Sequence, residues 1–257
     1  MHIHKMSCFG ARPGAGNPAL VIEGDGLDHE GRQRLARERC ATCVFLDAAA
    51  GTLDFYYPHT RSPLCVHATL AAARVLFAHA PTPGPLVVTT RVHGQRLELA
   101  QDGDDYYVAL QPQPAPAVAI GPDELARLLR APGFQPQATP RVASVGSPKL
   151  LVEVADEAAL YGLAPDLQAI GAWSARHGVN GLYVYCRRAD GSYEGRNFNH
   201  REPHLEDSAT GVAAGALAAL LGHDLDVHQG RATGRDCVIR VRVEDGAISV
   251  GGAVEQV

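Results

Sequence analysis

The sequence predicts a mixed α/β (α+β) protein of two similar halves, each a sheet wrapped on one central helix. Three observations predict it. Short strand-like runs bounded by Gly, Pro, Asp or Asn dominate the chain. Two segments, "CVHATLAAARVLFAHA" (65–80) and "SATGVAAGALAALLG" (208–222), are helical and apolar nearly all round, as helices buried on most sides must be. These two helices also overlay. Phe55 precedes Cys65 by ten residues and Phe198 precedes Ser208 by ten, an offset of 143 (208 − 65), with His67 over Thr210, Ala68 over Gly211 and Ala71 over Ala214.

In the first half the strand runs are "HIHKMSCF", "ALVIE", "CVFLD", "LDFYY", "LVVTT", "RLELA" and "YYVALQ". The polar, amphipathic "DHEGRQRLARERC" is a surface helix among them. The proline-rich "LQPQPAPAVAIGP" (110–122) reads as an extended connector and marks the domain boundary. In the second half "DELARLLRA" and "PDLQAIGAWSARHG" are helical, and "RVASV", "KLLVEV", "GLYVYCR", "YEGRNFN", "CVIRVRV" and "AISVGG" are strands. The halves are thus 1–113, with its central helix near 66–79, and 114–257, with its central helix near 208–222; the last strand is placed to cross back to the first half.

Composition bounds the function. Hydrophobic residues make up 46% of 257, enough for an ordinary core, and a net charge of −5 leaves no basic footprint for nucleic acid. No apolar run reaches the ~18 residues of a membrane helix. The opening "MHIHKMSCFG" lacks the apolar stretch of a secretion signal and reads as a strand, so a cytoplasmic location is expected. The six cysteines are scattered through a chain too long for a disulfide scaffold, which makes reduced thiols the expectation. "CATC" (40–43) has no second pair, and His2 and His4 have no partner ligands nearby in sequence, so no metal site is expected. Glycine-rich phosphate-binding motifs are absent from the sequence, and a reaction without a cofactor fits better.

The helix mouths carry the chemistry. Helix starts leave N–H groups unpartnered and positive, and a thiol placed at one ionises more readily than a free thiol. The first mouth holds Cys65, Val66, His67 and Ala68; the second holds Asp207, Ser208, Thr210 and Gly211. Facing one another across a cleft, two such mouths would cradle a carboxylate and stabilise an enolate-like charge beside it. Cys65 or His67 would take a proton, and Asp207 or Ser208 would return it. Each residue also has a plainer reading. Cys65 suits a space-filling buried thiol, and His67 a histidine bonded to a carbonyl. Ser208 with Asp207 suits a simple helix cap, and Gly16-Asn17 in "GNPAL" a tight turn between strands. Arg61, near the first mouth, reads either as a contact for a second anionic group or as an exposed arginine.

The blocks "GNPALV", "YPHTRSPLCVHATLAAARVL" and "EDSATGVAAGALAALL" resemble the three signature blocks of the PhzF-like proteins, phenazine-biosynthesis relatives of diaminopimelate epimerase. "GRNF" (195–198) and the ending "ISVGGAVEQV" fit the same pattern, so the resemblance runs from about Phe9 onward. It implies two like barrel-like, mostly antiparallel sheets, each around a central helix and related by a pseudo-two-fold, with the site between them. It also implies a cofactor-independent isomerase or epimerase of a small carboxylate, usually a homodimer. By the same resemblance His67 and Asp207 match the family's histidine and aspartate, and Asn17 lies in its substrate-side turn. Cys65 and Ser208 fall where the epimerase relatives carry their cysteine pair.

Departures accompany the match. Ala41 stands where the phenazine enzyme has its catalytic glutamate, Val66 replaces a glycine, Val212 a serine and Arg61 a common glutamate. An alanine cannot shuttle a proton. Three activities follow as expectations: an isomerase or epimerase using Cys65 or His67 with Asp207, a lyase-like variant, and a carboxylate-binding protein without chemistry.

Overall fold

This computed structural model describes residues 1–80, 84–199 and 206–257, which fold as two units: Met1–Ala109 with Ser249–Val257, and Leu110–Ile248. The first runs β1 His2–Cys8, β2 Asn17–Glu23, α1 His29–Arg39, β3 Cys43–Asp47, β4 Thr52–Tyr56, β5 Arg61–Ser62, α2 Val66–His79, β6 Leu86–Thr90, β7 Arg96–Asp102 and β8 Asp105–Leu110. The second runs α3 Pro122–Leu129, β9 Arg141–Ala143, β10 Lys149–Glu153, α4 Glu157–Tyr161, α5 Leu167–His177, β11 Leu182–Arg187, β12 Tyr193–Phe198, α6 Gly211–Leu221, β13 Leu225–Gln229, a 3₁₀ turn Arg231–Thr233, and β14 Cys237–Glu244. The chain then enters β15, Ala247–Gln256.

In the first unit the strand order is β1-β2-β3-β4-β6-β7-β8-β15, and β15 pairs back onto β1 from Met6↔Gln256 to Cys8↔Val254. The eight strands therefore close a barrel, with β5 attached to β4. In the second unit the order is β9-β10-β11-β12-β13-β14.

The same pairing sense recurs in both. Antiparallel β1–β2, parallel β2–β3, antiparallel β3–β4, parallel β4–β6 and antiparallel β6–β7 are matched, in sequence, by β9–β10, β10–β11, β11–β12, β12–β13 and β13–β14. Parallel neighbours need a crossover, and the helices supply it. The first crossover of each unit holds α1, or α4 with α5; the second holds α2 or α6. The repeat seen in two helix sequences is thus a repeat of whole topology.

The second-crossover helices are the buried ones. Every residue from Val66 to Ala73 in α2 is buried, as are Gly211 and Ala213–Ala218 in α6. Only small side chains allow a helix to touch strands on nearly all sides, which is why alanine dominates both. On the outer side of the first sheet, Ile22, Phe45 and Tyr56 pack beneath Ala36 of α1. In the second unit Leu125, Leu128, Ile170 and Trp173 pack against Leu182, Val184 and Phe198, each such burial stabilising by roughly 1.5–3 kcal/mol.

Helix starts divide into two kinds. Asp28 accepts from Gly31 N at 2.8 Å, Asp156 from Ala159 N at 2.8 Å and Asp166 from Ala169 N at 2.9 Å, capping α1, α4 and α5. Neither α2 nor α6 has a side-chain cap. Here the sequence reading needs correction: Ser208 does not cap α6, which starts at Gly211 behind Thr210. "GNPAL" is not a turn either, because Asn17 already opens β2. Cys43 is buried but Cys40 is exposed, so only one of the "CATC" thiols belongs to a core.

Candidate active site

The first mouth is built on one end of the barrel. Parallel strands β2 and β3 begin there, with Leu20 opposite Cys43, and β4 ends there. Asn17, the first residue of β2, lies opposite Cys8, whose thiol donates to the His67 carbonyl at 3.2 Å. The chain reaches this point through Gly16, where a side-chain carbon would sit 2.5 Å from the Cys8 carbonyl oxygen; nothing larger than glycine passes. At the helix start Cys65 Sγ lies 3.4 Å from His67 Nδ1 and 3.9 Å from Nε2. Cys65 is 2% exposed and His67 7%. Thr69 is held back from the site, its hydroxyl donating to the Cys65 carbonyl at 2.8 Å. A thiol and an imidazole thus sit together at an uncapped helix start, with Asn17 on the adjoining strand.

The second mouth is a polar knot. The Thr210 hydroxyl donates to Asp207 Oδ2 at 2.6 Å. Gln229, at the end of β13, joins the parts: its Nε2 donates to the Asp207 carbonyl at 2.7 Å and to Thr210 Oγ1 at 3.2 Å, and its Oε1 accepts from Thr210 N at 3.3 Å. The Tyr183 hydroxyl also donates to Gln229 Oε1, at 3.1 Å. Burial pushes that phenol well above its usual range, with the charges of Glu194 and Asp207 adding to the effect, so it stays a donor. Tyr183 reaches Gln229 across Gly195, where a side-chain carbon would lie 2.3 Å from the Tyr183 oxygen. The Thr233 hydroxyl donates to Gly230 O, which leaves it to accept from Ser208 Oγ at 2.8 Å.

The backbone sets the correspondence between the mouths. In the first unit Phe55 of β4 pairs with Ser62, and α2 begins four residues on, at Val66. In the second, Asn197 of β12 pairs with Asp207, and α6 begins four residues on, at Gly211. The structure therefore lays Cys65 over Thr210, Val66 over Gly211 and Ser62 over Asp207. The sequence overlay, which set Cys65 against Ser208, was displaced by two residues. Gapless matching cannot see that β12 and α6 are joined by a longer connection than β4 and α2.

Arg61 can now be placed. Arg61 already has its anion: Nε and Nη2 contact the two oxygens of Asp54 at 2.8 and 3.1 Å. Its own bonds to Asp54 raise the Arg61 pKa, and Asp54, 4% exposed, also takes Arg32 at 3.0 Å. Ala41 stands just before β3, at the same end of the barrel as Asn17, and brings a methyl group there. Gln229, Tyr183 and Thr233 carried no motif. Their roles come from the ends of β13 and β11 and from a 3₁₀ turn, which only the fold brings to Asp207. Among the described residues no group of three or more His, Cys, Asp or Glu is arranged to hold a metal ion, and no helix is long and apolar enough to cross a membrane.

The sequence pattern of the family described as phenazine biosynthesis-like protein matches residues 6–256. The chain belongs to that family. Among its relatives, the uncharacterized isomerase YddE of Escherichia coli K12 is 29% identical over 94% of this chain and 89% of that protein. The trans-2,3-dihydro-3-hydroxyanthranilate isomerase of Pseudomonas chlororaphis is 27% identical over 95% of this chain and 90% of its own. Among solved structures, a predicted epimerase from Pseudomonas aeruginosa superposes with a TM-score of 0.80 at 26% identity, covering 99% of this chain and 96% of that one. With isomerases as its named relatives, this phenazine biosynthesis-like protein is an isomerase.

Proposed function

We propose that the enzyme isomerises or epimerises a small carboxylate by removing and returning a proton, without a cofactor. The observation that carries this is the pair of uncapped buried helix starts, each beside groups able to hold a proton: Cys65 with His67, and Asp207 with Thr210. In this reading the N–H groups of Val66 and Ala68, and of Gly211, hold carboxylate oxygens, Thr210 N stays with Gln229, and Asn17 contacts the substrate. The Cys65–His67 pair takes the proton from the carbon next to the carboxylate. The electron pair left behind delocalises into an enolate, whose charge the helix N–H groups stabilise. A proton taken up from solvent is handed back by Asp207, whose carboxyl the Thr210 hydroxyl holds in place, and Ser208 acts on Thr233 rather than on substrate. Ala41 sets this chemistry apart from that of a relative with a glutamate there. The enzyme is expected to leave trans-2,3-dihydro-3-hydroxyanthranilate unchanged.

Deuterium exchange tests the proposal. A panel of hydroxy and amino acids in D2O is read by proton NMR for loss of the α-proton signal and by chiral chromatography for inversion. Exchange with inversion supports an epimerase; exchange without inversion but with a shifted double bond supports an isomerase. Binding of acids with no exchange at any substrate rules out proton transfer. Retained turnover after dialysis against a chelator supports the cofactor-free part, and its loss refutes it.

A further inference from the structure

Asn197 has a fully buried side chain, and among the described residues neither its Oδ1 nor its Nδ2 has a hydrogen-bond partner. Such an amide is costly to leave alone, and a native fold retains one only for a reason. Its surroundings give the reason. Along β12, Glu194 bonds Tyr161 and Arg188, Arg196 donates to the carbonyls of Leu160 and Leu163, and Phe198 joins the outer core. The alternate residues Gly195 and Asn197 face the other way, where Gly195 touches the Tyr183 that holds Gln229 and, through it, the start of α6. Asn197 is also the residue whose backbone pairs with Asp207.

The first unit shows what this position needs for folding alone. The strand pairings that set Cys65 over Thr210 also set Phe55 over Asn197, and Phe55 is 1% exposed. An apolar side chain serves the fold there. The second unit has instead an amide whose one acceptor and two donors meet no partner among the described residues.

We infer that Asn197 is a substrate-positioning residue of the α6 mouth, selecting a small acid that carries a hydrogen-bond donor beside its carboxylate: an α-hydroxy or α-amino acid. A bare carboxylate offers only acceptors and satisfies Nδ2 alone. Oδ1 needs an ammonium or hydroxyl. This inference rests on the reading of the α6 mouth as half of a carboxylate site.

The test uses the full chain, labelled with 15N, and three probes: acetate, glycolate and glycine. The backbone signals of Gly211 and Val212 report acid binding, and the side-chain NH2 pair of Asn197, assigned through bonds, reports the amide. All three probes are expected to move Gly211 and Val212. Glycolate and glycine are expected to move the Asn197 pair and to bind about tenfold more tightly than acetate, the worth of one added hydrogen bond. In Asn197→Leu that advantage is expected to vanish while the melting temperature stays level or rises, a combination that a structural role for the amide would not give. The inference is overturned if Asn197→Leu keeps the advantage, or if Gly211 and Val212 respond while the Asn197 pair stays still. In both cases the carboxylate site itself survives. Failure of every probe to move Gly211 or Val212 removes the site and the inference together. Should Asn197→Leu not fold, the amide has a structural task and the inference also falls.

Discussion

Cys65 Sγ lies 3.4 Å from Nδ1 of His67, at a helix start that no side chain caps. The two atoms lie within hydrogen-bond reach at the position where helix N–H groups favour negative charge. In the proposed reaction, removing either partner takes away half of the proton-accepting pair. Cys65→Ala and His67→Asn are each expected to slow α-proton exchange by at least about 100-fold, the lower end of what a positioned acid or base supplies. Circular dichroism should show both variants folded. Exchange at the parent rate in either variant removes that residue from the mechanism.

Gln229 is the knot of the second mouth. Leucine in its place leaves Thr210 N, the Tyr183 hydroxyl and the Asp207 carbonyl without the bonds they make to it. Gln229→Leu is expected to lose about 2–4 kcal/mol in urea unfolding. Gln229→Glu keeps an acceptor for Thr210 N and Tyr183 and should lose less. Equal stability for parent and Gln229→Leu would mean the knot adds nothing.

Asp54 holds two guanidinium groups, those of Arg32 and Arg61, in a buried position. Asp54→Ala leaves Arg61 without its carboxylate and Arg32 with Asp25 alone, and is expected to destabilise by roughly 1.5–3 kcal/mol. Arg61→Leu leaves Asp54 with Arg32 and should cost less. Because Arg61 is committed to Asp54, acid binding measured by calorimetry should be unchanged in Arg61→Leu; a clear drop in affinity would return Arg61 to the substrate.

Burial pushes the Cys43 and Cys186 thiols from an ordinary value of 9.0 up to about 11. A thiol whose pKa is higher in the fold than in the unfolded chain favours folding below the unfolded value, and that contribution drains away as pH rises. Stability is therefore expected to fall between pH 9 and 11. At pH 8 iodoacetamide should reach the exposed Cys40 first, with Cys43 and Cys186 modified only on unfolding. Rapid modification of Cys186 in the folded protein would contradict this.

Much of this was legible in the chain. Buried helices declare themselves by alanine on every face, which is how α2 and α6 stand out, and the longer strand runs declare themselves by alternation. Short elements escaped. The two-residue β5 and the five-residue α4 are too brief for a period to show, and β13, "LDVHQ", offers only Leu225 and Val227 as buried positions. At the site, Cys65, His67 and Asp207 were visible because they lie on the helix mouths themselves. Gln229 and Tyr183 were not, since nothing local distinguishes a glutamine at a strand end from any other. Arg61 was left open between two readings for a related reason: its partner, Asp54, is seven residues away on the neighbouring strand β4.

The barrel is sealed by β15, whose residues 254–256 pair with β1 at residues 6–8. During synthesis those two ends are separated by the whole of Leu110–Ile248, so the N-terminal sheet must wait, open along one edge, until the later unit has been made. An unpaired edge is a template for the wrong neighbour. The first half of this enzyme, although translated first, cannot close its barrel until the last strand has been made.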